Sequence, residues 1–316
     1  MCARIVLVLL APALLVGCFL QRTGTAPGDA GSTEPDAGGM DAEVALDAAL
    51  PDAGPPDAGT ADAGVDDAGP PLDSGPPDSG PPVLGPLPVT AGLLVHFDAQ
   101  NVLGDGTIPG SSPGNWIDLT GGNDGACSNV RYDPNGLSTG RPAMVTEATD
   151  ASSCQFDIPD LNDLTIAVVI RTGDTRGNRN WYDAPCIVGG EASGETNDGA
   201  MYMSEGRVGF ARRNSGTQYL SPAGTSYADD MPHAMVLARR SSVGNISLWV
   251  DTAGVETGTA NGGAIDRPNT WWLAGSEAPR DTRFAAAYAE VLVYTRELSE
   301  TEATSLRDWL LARWGI

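Results

Sequence analysis

Between residues 89 and 316 the chain is a succession of short apolar runs divided by Gly, Asn, Asp and Pro. The runs are Leu93–Phe97, Thr165–Arg171, Arg207–Ala211, His233–Ala238, Asn245–Asp251, Thr270–Ala274 and Ala287–Tyr294. Several are rich in Val, Ile, Trp and Tyr, the residues that suit a pleated, half-buried surface. In the fifth, Ile246, Leu248 and Val250 alternate with Ser247, Trp249 and Asp251, the period of two expected of a strand with one face inward. Strand and helix patterns do not alternate, so the prediction is an antiparallel sandwich rather than a parallel α/β sheet. One helix is predicted, at the C-terminus. Ser299 and Glu302 have the spacing of a capping box, Leu306, Trp309, Leu310 and Arg313 follow at helical intervals, and Gly315 ends the pattern. Its apolar stripe is expected to dock on the sandwich.

The first 88 residues follow other rules. Ile5–Val16 is an apolar run behind a short basic start, too short for the roughly 20 helical residues that span a bilayer and of the length of a signal-peptide core. It ends in Leu15-Val16-Gly17-Cys18, which resembles the lipobox of bacterial lipoproteins. That resemblance implies removal of residues 1–17 and acylation of Cys18, including a palmitate-type chain. Two or three acyl chains give stable anchoring where one is marginal. Phe19 stands where an inner-membrane retention signal would place Asp, so the expected location is the outer membrane and cell surface.

Residues 18–88 are read as a disordered tether. An acidic phrase recurs irregularly: Pro51-Asp52-Ala53-Gly54, Pro56-Asp57-Ala58-Gly59, Ala61-Asp62-Ala63-Gly64, then Asp73-Ser74-Gly75 and Asp78-Ser79-Gly80. Almost no aromatic or β-branched side chain is available to offset the entropy of ordering. Pro, Gly and like charge favour an extended spacer. The irregular spacing and the lack of apolar positions argue against a calcium-binding β-roll.

The domain's opening phrase, Gly92-Leu93-Leu94-Val95-His96-Phe97-Asp98-Ala99, and Trp116-Ile117-Asp118-Leu119-Thr120-Gly121-Gly122-Asn123-Asp124-Gly125 resemble laminin-G-like, concanavalin A-like jelly-roll domains. The closing stretch Ala289-Glu290-Val291-Leu292-Val293-Tyr294-Thr295-Arg296-Glu297-Leu298-Ser299, with Arg313-Trp314-Gly315 at the end of the helix, is similar to that family's last strand and terminal helix. Thr120 departs from the Ser that is usual there. The resemblance spans 89–316 and implies an all-β, antiparallel jelly-roll sandwich with a short C-terminal helix, whose first and last strands pair.

Charge sharpens this picture. The net charge is −23, the 18 basic residues are all Arg, and 13 acids against one Arg lie in residues 19–88. About half of the net charge thus belongs to the tether. The domain itself remains acidic, which excludes nucleic acid as a partner and disfavours anionic polysaccharides.

Candidate chemistry is sparse. Once Cys2 leaves with the signal and Cys18 carries lipid, Cys127, Cys154 and Cys186 remain, and an exported domain permits a disulfide. Three pairings are open; Cys127–Cys154 is expected, because it would close a loop containing Gly and Pro. Spacings of 27 and 32 residues without nearby His do not suit a metal cluster. His96 and His233 both lie in strand-like runs, and the domain holds no Gly-x-Ser-x-Gly elbow, so structural roles are expected for them. Glu290 would begin the paired carboxylates of a jelly-roll glycoside hydrolase, but Leu292 and Tyr294 occupy the positions where partners are needed. A structural hydrogen bond or solvent exposure is expected for Glu290. Asp98, Asp118, Asn123 and Asp124 are hard oxygen donors in early loops, so calcium is the one conceivable ion, against the alternative that they form Asx-turns. No cofactor is expected. Trp181 and Tyr182, in a loop with Arg176, Asn178, Arg179 and Asn180, form the candidate ligand surface. Of Trp271 and Trp272, one should face the core and the other outward.

These readings converge on a non-enzymatic, lipid-anchored surface protein whose jelly roll binds a glycan or protein ligand. The alternatives are a polysaccharide-active enzyme with an atypical site and a purely structural envelope module.

Overall fold

Strand signals in the sequence translate into two antiparallel sheets facing each other. The computed structural model describes residues 85–149, 152–177, 184–190, 197–212, 220–266, 269–275, 283 and 285–316. Cys18 with the expected leader and most of the tether, and the candidate pair Trp181 and Tyr182, lie outside the described residues.

Along the described chain come β1 (Leu93–Asp98), β2 (Asn115–Trp116), β3 (Gly125–Ser128), β4 (Arg131–Asp133), β5 (Ala143–Thr146), β6 (Ser153–Asp157) and β7 (Leu164–Arg171). They are followed by β8 (Cys186–Gly190), β9 (Gly199–Ser204), β10 (Arg207–Arg212), β11 (Pro232–Arg240) and β12 (Asn245–Val250). The last elements are β13 (Glu256–Thr259), β14 (Thr270–Leu273), β15 (Ala286–Tyr294) and the helix α1 (Glu300–Trp314). Sheet A has the order β13-β12-β11-β7-β15-β5-β4, and sheet B the order β10-β9-β8-β14-β6-β3-β2. The first strand, β1, pairs with the last, β15, as the family resemblance implied.

The strand β15 organises sheet A. Along one edge, Ala286–Tyr288 pairs with β5 and Glu290–Tyr294 with β1; the other edge pairs with β7 through a register shift between Tyr288 and Glu290. Both faces of β15 are buried along its whole length. A strand covered on both faces reads as a continuous apolar run, whereas one-sided burial gives alternation. Sheet B covers one face and α1 part of the other.

The inner layer is bridged by aromatic rings. Phe97 of β1 lies 5.3 Å from Trp116 of β2 and 5.3 Å from Phe156 of β6, and Phe156 meets the edge of Trp271 at 6.4 Å. Trp271 is therefore the core residue of its pair. Trp272, one position on, belongs to the opposite face of sheet B with Gly189 and Gln155 as its cross-strand neighbours, and is 6% exposed. Cys127 of β3 and Cys154 of β6 are direct cross-strand partners and form the disulfide, while Cys186 is buried on β8.

The helix begins where its caps dictate. The Ser299 hydroxyl accepts from the Glu302 N–H, the Glu302 carboxylate accepts from the Ser299 N–H, and Gly315 closes the helix at φ 68°, a left-handed conformation that glycine adopts without a Cβ penalty. Ala303, Leu306, Leu310 and Trp314 form the buried stripe, packed on β11 and β12. Trp309 is only partly buried and donates its indole N–H to the Gly85 carbonyl at 3.0 Å, fixing the chain's entry into the domain against the helix.

Candidate functional site

Among the described residues, Glu290, Asp98, Asp118 and the two histidines, singled out in the sequence as candidate acid–base or metal-binding groups, hold the fold together. Glu290, fully buried on β15, accepts from Trp314 Nε1 at 2.6 Å and shares a 2.8 Å hydrogen bond with His96 Nε2; Arg313 Nε lies 3.1 Å away. Arg313 also pairs with Asp98, the residue opposite Glu290 on β1. Burial, then the nearby Glu290 carboxylate, pushes the Asp98 carboxyl up. These groups lock the end of α1 onto sheet A. Glu290 is thus a structural hydrogen-bonding centre, one of the two roles expected of it.

The early acidic loop also resolves. The Asp118 carboxylate accepts from the N–H groups of His96, Thr120, Gly122 and Asn123 and from the Thr120 hydroxyl. Burial would raise its pKa, but these hydrogen bonds outweigh it and hold the carboxyl below the usual range. Asp124 caps the Asp118 N–H at 2.9 Å. The oxygens that a calcium ion would need from Asp118 are already filled by donors, so the Asx-turn reading describes this loop.

An open concavity lies elsewhere among the described residues, as a groove of about 440 Å3 at one end of sheet A. Register builds it. Arg131 stands opposite Val145, Val145 opposite Ala287, and Ala287 opposite Arg171, in a single row across β4, β5, β15 and β7. Side chains of one such row share a face, here the outer face that carries Glu290 and α1 further along. Three inter-strand steps of about 4.8 Å place the two arginine backbones roughly 14 Å apart. Val145, Ala287 and Gly173 provide a low floor between them; Asp133, Asp174 and Asp230 add carboxylates around it.

Arg171 is the fixed element of the groove. Its Nε donates to the Asp230 carbonyl at 2.8 Å and one Nη to the Gly136 carbonyl at 3.2 Å, while the second Nη faces the Asp230 carboxylate at 3.5 Å. Asp230 approaches because residue 173 is Gly: a Cβ there would come within 2.8 Å of the Asp230 carboxyl. Across the floor, Arg131 pairs with Asp133 at 2.7 Å. The Arg131 hydrogen bond, and then the Asn135 N–H, hold the Asp133 carboxyl low. Burial would raise Asp174, but bonds from the Arg176 side chain and N–H and from the Ala285 N–H overcome it. The groove therefore presents carboxylate acceptors and guanidinium donors, of which Arg171 and Asp174 are held by several bonds each. Its hydroxyls are engaged: Thr172 donates to the Ala285 carbonyl and Thr146 to the Ala286 carbonyl.

A second hollow of about 360 Å3 lies over β12 and the start of α1. There Trp249 is only 4% exposed and Arg240 closes on Glu297 at 2.6 Å, so neither an open ring face nor a free guanidinium is offered. His233 is likewise structural, held between Asp229 and Asp251 at 3.0 and 2.7 Å. No sequence signal marked the larger groove, because Arg131 and Arg171 are aligned by strand pairing and Asp230 is brought to them by a turn bonded to the Thr172 carbonyl.

Sheets and groove together define a β-sandwich domain with an open polar cleft on one outer face. No family model matches the chain, and no curated protein matches it in sequence. Among solved structures, it is similar to the binding domain of Paraclostridial Mosquitocidal Protein 1, with a TM-score of 0.51 at 12% identity over 70% of this chain and 53% of that one. Domain 4 of an extracellular arabinanase from Geobacillus stearothermophilus, solved with arabinotriose, gives 0.48 at 13% identity over 68% and 98%. The botulinum neurotoxin serotype G binding domain gives 0.46 at 14% identity over 61% and 48%. The chain spans about half the length of the two toxin binding domains. At these identities the likeness is one of fold.

Proposed function

We propose that this is a lipid-anchored, non-catalytic surface protein whose sandwich binds a neutral glycan in the Arg131–Arg171 groove. The observation that carries the reading is the pinned guanidinium of Arg171. Two backbone carbonyls fix its plane, and carboxylates and a second guanidinium stand around an uncluttered floor. Sugar hydroxyls both donate and accept, and fixed groups of both kinds bind them without a further ordering cost. Two arginines against three aspartates leave no strong field for an anionic ligand. A glycosidase needs one carboxyl with a raised pKa as its proton donor. Asp133 and Asp174 are held the opposite way, which supports recognition over hydrolysis. The Cys18 lipobox and the acidic tether would hold this domain away from an anionic membrane surface.

The test is a glycan array probed with the purified chain and with its Arg171→Ala variant. Retention of neutral oligosaccharides by the parent, lost in the variant while the melting temperature holds, is the expected outcome. Release of reducing sugar from any retained glycan would overturn the non-catalytic part of the reading.

A further inference from the structure

The wall of the groove formed by Asp230 is built on a histidine. Asp230 sits at φ 63°, a left-handed conformation unusual for a residue with a Cβ, at the centre of the turn Asp229-Asp230-Met231. One oxygen, Asp229 Oδ1, sustains that turn: it accepts from the Met231 N–H at 2.9 Å and faces His233 Nε2 at 3.0 Å. On the other side of the ring, His233 Nδ1 meets Asp251 Oδ2 at 2.7 Å, and Asp251 Oδ1 accepts from the Ala234 N–H. The Asp230 N–H in turn bonds the Thr172 carbonyl at 3.0 Å, and the Asp230 carbonyl receives Arg171 Nε.

A neutral imidazole has one N–H and so can donate to one carboxylate, leaving its lone pair against the other. A carboxylate on each ring nitrogen is therefore the geometry of an imidazolium. We propose that His233 is a pH-sensitive latch on the groove: protonated, it holds the Asp229–Met231 turn and the Arg171–Asp230 wall in place, and deprotonated it releases them. This rests on the groove being the ligand site. Asp251 is anchored to the β11 backbone through Ala234, whereas Asp229 is 45% exposed, so the Asp229 contact is the one that yields.

The charged and titratable groups facing the ring are Asp229 and Tyr227 from the preceding loop and Asp251 from the end of β12, with Glu256 of β13 acting on Tyr227. Across the β11–β7 pairing stands the apolar Ile170. Burial lowers the His233 pKa, and the two carboxylates, Asp251 first, more than reverse this, leaving it above the ordinary 6.5. The latch is therefore fully present below pH 6.5 and is lost as pH rises through the raised value.

The experiment combines NMR titration of the His233 ring nitrogens with hydrogen exchange in the full chain, corrected for intrinsic base catalysis. Exchange of the Asp230 and Met231 amides is expected to accelerate about tenfold or more as the ring deprotonates, the loss of one charge-assisted hydrogen bond. The β15 amides should not change. In His233→Gln the step should vanish, with fast exchange at every pH, and in His96→Gln it should persist. A ring that titrates without a step at residues 230–231, or a step that survives His233→Gln, would overturn the latch. An immobilised panel of neutral oligosaccharides, probed across the same pH range, separates the two ideas. Binding that fails at every pH while the exchange step remains refutes the glycan reading alone.

Discussion

Glu290→Ala removes the centre of the network that fastens α1 to sheet A. The substitution leaves Trp314 Nε1 without its 2.6 Å acceptor, His96 Nε2 without its 2.8 Å partner, and Arg313 with Asp98 as its remaining carboxylate. All of this occurs at a residue with no exposure. Breaking a buried ion pair by deleting one partner costs about 3–5 kcal/mol. At about 2–4 °C per kcal/mol for a domain of this size, the melting temperature should fall by roughly 6–20 °C. Glu290→Gln keeps shape and one acceptor oxygen, so its loss should be smaller. Calorimetry on the parent and both variants gives the ordering, and hydrogen exchange locates the damage in the amides of residues 303–314. A Glu290→Ala melting temperature within about 2 °C of the parent would refute the assignment of this cluster as the helix lock.

Four further outcomes are expected. Arg171→Lys should lose glycan binding nearly as fully as Arg171→Ala, because one ammonium cannot hold the Asp230 and Gly136 carbonyls in a fixed plane; binding isotherms on the array hits check this. Reducing Cys127–Cys154, which closes a separation of 27 residues, should cost roughly 3.5 kcal/mol in urea unfolding, with an unchanged midpoint counting against a structural disulfide. The Glu302 carboxyl, held down to about 2 by the Arg296 side chain and then by the Ser299 N–H and hydroxyl, should titrate near that pH by NMR. Its contribution to stability is present above the unfolded value of 4.5 and disappears as pH falls toward 2, and Arg296→Gln should raise the midpoint. Cys18→Ala should move the protein from the membrane fraction to the soluble one; continued membrane partition would exclude the acyl anchor.

The strands that the sequence made legible are those with dense β-branched or aromatic content. Leu164–Arg171 and Ala286–Tyr294 extend the apolar runs found there by one residue each, because central strands buried on both faces leave an unbroken signal. The strands missed are short or built from small and polar residues: Gly125–Ser128, Arg131–Asp133 and Glu256–Thr259 have no periodicity to detect. Gly199–Ser204 is fully buried, yet its Gly, Ala and Met content carries little strand preference. The helix was readable to its caps, since Ser299, Glu302 and Gly315 act locally. The groove was not, for a physical reason. Arg131, Arg171 and Asp230 come from β4, β7 and the loop before β11; pairing register sets the two arginines on one face, and the turn bonded to Thr172 brings Asp230 beside them. Glu290 shows the intermediate case: its strand was evident, but its indole partner lies 24 residues away on a helix whose docking angle no local pattern specifies.

The claim that the Arg131–Arg171 groove is a glycan site is tested most directly by NMR titration of the chain with a neutral oligosaccharide selected on the array. Shift changes should concentrate at Arg131, Val145, Arg171, Gly173, Asp230 and Ala287, and Arg171→Ala should abolish them. Changes confined to other surfaces, or saturable binding unaltered by Arg171→Ala, would contradict the assignment.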